Sequence, residues 1–121
     1  MILVDTSIWI DHWHGVGPLS EMLDRREVQI HPFVIGELAC GHLPERNITL
    51  QLLHELPMVR IAEDKEVLYF IEKYNLMARG IGYIDIHLLA AAALNSCKFF
   101  TRDKRLHVIA VELSLAYYYA H

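Results

Sequence analysis

The sequence predicts an α/β domain in which a central parallel sheet is covered by helices on both faces, a three-layer α/β/α sandwich. Two observations predict it. Short apolar runs such as Ile2-Leu3-Val4 do not alternate with polar residues, so they read as strands buried on both faces. Strand-like and helix-like segments also alternate along the chain, the pattern of parallel strands joined by helical crossovers.

Taken in order, residues 2–4 form the first strand, which runs straight into Asp5. Thr6 and Ser7 can cap a helix over residues 8–13. Gly15-Val16-Gly17-Pro18 breaks that helix. Residues 18–26 read as a second helix with Leu19, Met22 and Leu23 on one face, and residues 28–31 as a second strand. Pro32 suits the first turn of a helix over residues 32–40, with Gly41 near its end. After the turn Leu43-Pro44-Glu45, residues 46–56 place Ile48, Leu52 and Leu53 at helical spacing, and Pro57 ends that helix. Residues 59–61 are a third strand candidate. Residues 63–77 form a long amphipathic helix with Val67, Leu68, Ile71, Tyr74 and Leu76 inward. Gly80-Ile81-Gly82 is a loop, and residues 83–95 are the most helix-like apolar segment. Residues 98–101 are a strand, a helix follows from about Asp103, and a last strand is expected at residues 117–119. No repeat, linker or low-complexity tract divides the chain, so residues 1–121 are read as one domain.

The chain has 121 residues, 54% of them hydrophobic, enough for a packed core and too many for intrinsic disorder. No apolar run reaches membrane-spanning length; the longest clean one is residues 88–94. Asp5 comes too early for a signal peptide, so an uncleaved cytoplasmic protein without membrane association is expected. A net charge of −4 argues against a broad basic face for nucleic acid, while leaving room for a local patch. Cys40 and Cys97 are expected to be free core thiols. No CxxC or zinc-type Cys/His spacing is present.

The informative residues are carboxylates in apolar surroundings. Asp5 lies at the carboxyl end of the first strand, where ligands bind in open α/β sheets, and is the only charged residue in the first ten. Glu37 is the only charged residue between Pro32 and Gly41. Asp85 is the only one between Gly80 and Cys97. Asp103 is a weaker case: it follows a strand but lies between Arg102 and Lys104, and alone it reads as a helix cap, as Asp85 also can. Glu63, Asp64, Glu66 and Glu72 read instead as a solvated helix face. Close carboxylates raise one another's pKa unless they share a cation. Oxygen ligands suit Mg²⁺ or Mn²⁺, and magnesium binds through few carboxylates plus substrate phosphate. If the acids meet in space, the chemistry is metal-assisted reaction at a phosphate or phosphodiester.

The segments carrying these acids also resemble a known family. Asp5-Thr6-Ser7, Gly36-Glu37-Leu38, Gly82-Tyr83-Ile84-Asp85 leading into Leu88-Leu89-Ala90-Ala91-Ala92, and Phe100-Thr101-Arg102-Asp103 resemble, in order, the motifs of the PIN domain. The resemblance covers essentially the whole chain and is strongest to VapC-type toxins of toxin–antitoxin systems. It implies a PIN-like α/β/α fold and a metal-dependent endoribonuclease with Mg²⁺ or Mn²⁺ in an acidic pocket. Asp5, Glu37 and Asp85 match the three principal acidic positions and Asp103 the fourth, so all four are the implied catalytic and metal-binding residues. Asp5 and Asp85 are the implied direct ligands; Glu37 and Asp103 would act directly or through water. Thr6 and Thr101 fall where the family carries hydroxyls near the metal. The resemblance further implies attack by a metal-activated water, an RNA substrate, a homodimer, and a VapB-like antitoxin that inserts a basic side chain into the pocket.

Two other readings of the chain compete, and DNA in place of RNA as the substrate is a third possibility, since both present the same phosphates to a metal. A phosphoacceptor receiver domain needs an acidic pair after the first strand, where this chain has Asp5 alone. A non-catalytic PIN-like interaction module does not need the intact acids. Arg102, Lys104 and Arg105 form the only tight basic cluster, a guide for RNA phosphates or a solvated helix face. His12 and His14, two apart, do not share a helix face and read as surface or loop residues. His87 reads as packed or hydrogen-bonded, Trp9 and Trp13 as core or dimer contacts, and Tyr117-Tyr118-Tyr119 as strand packing.

Overall fold

The computed structural model describes residues 1–119. Its elements are β1 (Ile2–Val4), α1 (Thr6–Trp13), α2 (Leu19–Asp24), β2 (Val28–Gln29), α3 (Pro32–Ala39), α4 (Arg46–Glu55), α5 (Asp64–Tyr74), α6 (Tyr83–Leu94), β3 (Lys98–Phe100) and α7 (Lys104–Glu112). The strands form one parallel sheet in the order β2-β1-β3, with Ile2 opposite both Val28 and Lys98. All of β1 is buried, as a central strand covered on both faces must be. The strand ends that β1 and β3 share, Val4 opposite Phe100, set the position of everything discussed below.

α6 explains its own burial. Residues 86–92 are buried without interruption, including His87. A helix apolar all round belongs in the core rather than on its surface. Ile86, Leu88 and Leu89 pack there with Leu3, Val4, Phe99 and Ile109.

Several elements differ from the sequence reading. α1 begins at Thr6, because Asp5 takes the cap position with extended backbone, and its carbonyl accepts from the Ile8 and Trp9 amides. Thr6 and Ser7 therefore lie in the first turn, and their hydroxyls are engaged elsewhere. Residues 59–61 are not a strand. Ile30 pairs with Met58 in a single bridge, after which the Asn95 side chain takes both backbone groups of Arg60, at 3.0 Å and 2.8 Å. That amide does what a neighbouring strand would do, and the ladder stops. The terminal strand is also reduced to one bridge, Phe99 with Ala116, one residue before the expected start at Tyr117. Residues 120 and 121 lie outside the described residues.

Packing departs from simple periodicity on two helices. On α5, Val67 is buried, whereas Leu68 and Tyr74 are exposed rather than inward. On α4, Leu53 alone is buried; Ile48 and Leu52 face out. Cys97 is a buried free thiol, as expected, but Cys40 caps the C-terminus of α3 and is exposed. Among the described residues, no helix is long and apolar enough to cross a membrane.

Candidate active site

Asp5 stands at the carboxyl end of β1, held there by its amide, which donates to the Phe100 carbonyl of β3 at 2.9 Å. Only 7% of it is exposed. Its Oδ2 accepts from two hydroxyls, Ser7 Oγ at 3.0 Å and Thr101 Oγ1 at 2.7 Å. Each hydroxyl oxygen also accepts a backbone amide from the β3–α7 turn: Arg102 N–H reaches Ser7 Oγ at 3.1 Å, and Asp103 N–H reaches Thr101 Oγ1 at 3.1 Å. The ends of β1 and β3 are thus tied into one rigid unit through Asp5. Ser7, read from sequence only as a cap, is part of this unit. Its signal was a second hydroxyl two residues beyond a strand-end acid.

Glu37 arrives from α3. Its Oε1 accepts from Thr6 Oγ1 at 2.9 Å. Partial burial pushes its carboxyl above the ordinary range; the Thr6 hydrogen bond opposes this, and the negative charges of Asp5 and Asp85 add to it. Asp85, in the first turn of α6, reaches back to the Gly82 amide at 3.2 Å. Its carboxyl is also raised, first by burial, against the Gly82 N–H, and further by the charges of Asp5 and Asp103. Asp103 caps α7, with Oδ1 accepting from the Leu106 amide at 3.0 Å. The capping expected of Asp103 is therefore real, and its charge is felt at Asp85 as well.

The fold brings Asp5, Glu37, Asp85 and Asp103 into one electrostatic neighbourhood. None of the four makes an ion pair with a Lys or Arg among the described residues. The basic group adjoining them, Arg102, turns to Asp11 instead, at 3.0 Å. Among the described residues, no three His, Cys, Asp or Glu side chains stand close enough together to hold a metal ion. Carboxylates so spaced could engage a cation only if it kept most of its waters, the habit of Mg²⁺.

A second polar cluster lies between α3 and α6. His31 caps α3, accepting from the Phe33 amide through Nδ1 at 3.0 Å, and is wholly buried. Its Nε2 has no partner. Burial, and then the charge of His87, lower its pKa from 6.5 to about 4. His87 Nε2 lies 3.2 Å from Asp64 Oδ1, and Tyr83 Oη donates to the same oxygen at 2.9 Å. Both imidazoles flank the Phe33 ring. Asp64 is solvated as the sequence reading has it, with its side chain 82% exposed, and also accepts from Tyr83; His87 is hydrogen-bonded as expected.

A sequence model of the PIN domain matches residues 2–112. Ribonuclease VapC32 of Mycobacterium tuberculosis, in two strains, is 40% identical over 118 residues, covering 96% of this chain and 95% of the relative. Among solved structures, a toxin–antitoxin complex from Klebsiella pneumoniae superposes with a TM-score of 0.66 at 21% identity, covering 85% of this chain and 87% of that one. FitAcB from Neisseria gonorrhoeae does so with a TM-score of 0.62 at 19% identity, covering 96% and 95%. The structural likenesses speak for the fold alone; with the sequence matches, they mean that the chain belongs to the PIN domain family and is of the VapC type within it.

Proposed function

We propose that this chain is a metal-dependent endoribonuclease, the toxin of a VapBC-type toxin–antitoxin pair, hydrolysing RNA phosphodiester bonds with Mg²⁺ or Mn²⁺. The observation that carries the reading is the set of four carboxylates beyond the ends of β1 and β3 with no protein cation among them. Asp5 and Asp85 would hold the ion, with Glu37 and Asp103 reaching it directly or through water. When bound, such an ion supplies an activated water and neutralises charge developing on the phosphoryl group. The chain's own contribution is positional. Ser7 and Thr101 both bind Oδ2 of Asp5, which fixes the plane of the carboxylate and presents Oδ1. Thr6 steadies Glu37, and the Gly82 amide steadies Asp85. Each donor is neutral, so the negative field is oriented without being cancelled.

The same field suits the basic side chain of a VapB-like antitoxin, the partner in this reading. The Mycobacterium relative is a VapC ribonuclease, which supports RNA as substrate. The Klebsiella structure is a toxin–antitoxin complex, which supports an antitoxin as partner. The working form is taken to be a cytoplasmic homodimer.

The test is cleavage of total cellular RNA by purified protein freed of any antitoxin, with Mg²⁺ or Mn²⁺ and with EDTA, beside Asp5→Asn. Metal-dependent cleavage lost in Asp5→Asn is expected. Equal cleavage by both proteins would refute the placement of Asp5. A protein that binds RNA and antitoxin yet cleaves nothing with either metal would be the non-catalytic interaction module.

A further inference from the structure

Next to the acidic centre lies a cavity of about 310 Å³, between α1, the loop before α2 and the β3–α7 turn. Ions for the acids are one need of an RNA-cleaving site; holding the strand is another. Single-stranded nucleic acid is held by cations along its phosphates and by aromatic or apolar faces under its bases. This cavity has both. Arg102 and Lys104 line it, as do Pro18, Phe100 and Tyr119, and Thr101 is shared with the Asp5 unit.

Arg102 is set up for a phosphate. Its amide is fixed by Ser7, and its Nε is fixed by Asp11 at 3.0 Å, with the Asp11 carboxylate tucked in and the guanidinium mostly exposed. An arginine oriented through Nε turns its terminal nitrogens outward in the fork that recognises phosphate. Arg105, the third member of the basic cluster, is not part of this arrangement: it packs over Gly80, where a Cβ would stand 2.7 Å from its guanidinium. On a chain of net charge −4, the two cations that remain are local to the site. The exposed aromatic face there is that of Tyr119, whose ring packs edge-on against the buried Phe100 at 6.4 Å.

We propose that this cavity is the subsite for the RNA nucleotide adjoining the scissile phosphate, with Arg102 and Lys104 on that nucleotide's phosphate and Tyr119 against its base. The assignment rests on the ribonuclease reading and names where the substrate strand lies. It predicts that the strand crosses the β3–α7 turn, so that Thr101 and Arg102 serve the acid and the strand from one backbone segment.

The test is equilibrium binding of a fluorescently labelled single-stranded RNA to the full chain in EDTA, read by anisotropy across a salt series. Arg102→Ala and Lys104→Ala are each expected to weaken binding about fivefold to tenfold. Each should also lower the slope of log affinity against log salt by about 0.7, the loss of one single-strand phosphate contact. Tyr119→Ala should weaken binding without changing that slope, and Lys73→Ala on α5 should change neither. Lys104→Ala covers the case in which loss of the Arg102–Asp11 pair impairs folding. Parental affinity and slope in both cation variants would overturn the proposal, as would no measurable RNA binding by the parent. Because no metal or cleavage enters this assay, failure of the ribonuclease reading would appear separately, as an RNA-binding parent that Mg²⁺ and Mn²⁺ leave inactive.

Discussion

His31 gives the sharpest quantitative prediction, because its environment has a sign and a size. It is wholly buried, caps α3 through Nδ1, and has its pKa lowered from 6.5 to about 4 by burial and by His87. The folded value lies below the unfolded one, so the unfolded chain takes up a proton that the native state refuses. Stability from this residue is fully present above about pH 6.5 and is lost as the pH falls toward about 4. At about 1.4 kcal/mol per unit, a window of about 2.5 units comes to roughly 3.5 kcal/mol, of which about 3 kcal/mol is lost by pH 4. Glu37 and Asp85 act with the opposite sign. Their raised carboxyls favour the protonated folded state, so their share of stability grows as the pH falls through the region just above ordinary carboxylate values. A pH profile of one protein therefore mixes both signs, and a variant must isolate the imidazole. In His31→Asn the amide oxygen can still accept from Phe33, Asn is a strong N-cap, and nothing titrates. Urea unfolding of both proteins between about pH 4 and pH 7 gives two curves. The parent's advantage over His31→Asn should shrink by roughly 3 kcal/mol as the pH falls. Parallel curves would show that His31 is protonated as easily in the folded chain as in the unfolded one, and would refute the reasoning.

Asp103 combines capping with charge, and two variants separate them: Asp103→Ala should lose about 1 kcal/mol of stability in thermal unfolding, whereas Asp103→Asn keeps the cap and should melt with the parent. Loss of RNA cleavage in Asp103→Asn at unchanged melting temperature would then assign the charge to the site. Leu3 is wholly buried in the central strand, so Leu3→Ala should cost about 2–5 kcal/mol by urea unfolding, and a smaller loss would mean that the sheet collapses onto the gap. Mg²⁺ should raise the melting temperature of antitoxin-free protein, by about 2.7 kcal/mol of stability at a hundredfold excess over its dissociation constant. The shift should vanish in Asp85→Asn; an equal shift there would place the ion elsewhere.

The layered fold and the acids were legible because they violate local expectation. Ile2-Leu3-Val4 has no polar alternation, and Asp5, Glu37 and Asp85 are single charges in apolar stretches. What stayed hidden depended on partners distant in sequence. Arg60 has a strand-like neighbourhood, yet the Asn95 side chain, 35 residues away, takes the backbone groups a strand would use. Leu68 fits a helical stripe, but α5 meets the core along a strip narrow enough to bury Val67 and leave Leu68 at 58% exposure. The link between Asp5 and Thr101 spans 96 residues and exists only because β1 and β3 are neighbours in the sheet. Periodicity reports what one element needs; it does not report which other element meets that need.

The hydrogen bonds around the acids orient them without neutralising them. Asp5 is held by Ser7 and Thr101, Glu37 by Thr6, Asp85 by the Gly82 amide and Asp103 by the Leu106 amide. A protein that wanted only a stable fold would place Arg102 among them; here Arg102 is drawn to Asp11. Neutral donors leave a carboxylate's charge in place, so Glu37 and Asp85 remain raised by burial and by their neighbours. That repulsion lowers the stability of the cation-free chain and is relieved by any cation that enters. In the proposed function a divalent ion and the antitoxin's basic side chain are two such cations, drawn by one field to one place. Occupation by either weakens the field that draws the other, so in this reading the ion and the antitoxin compete without any change of fold.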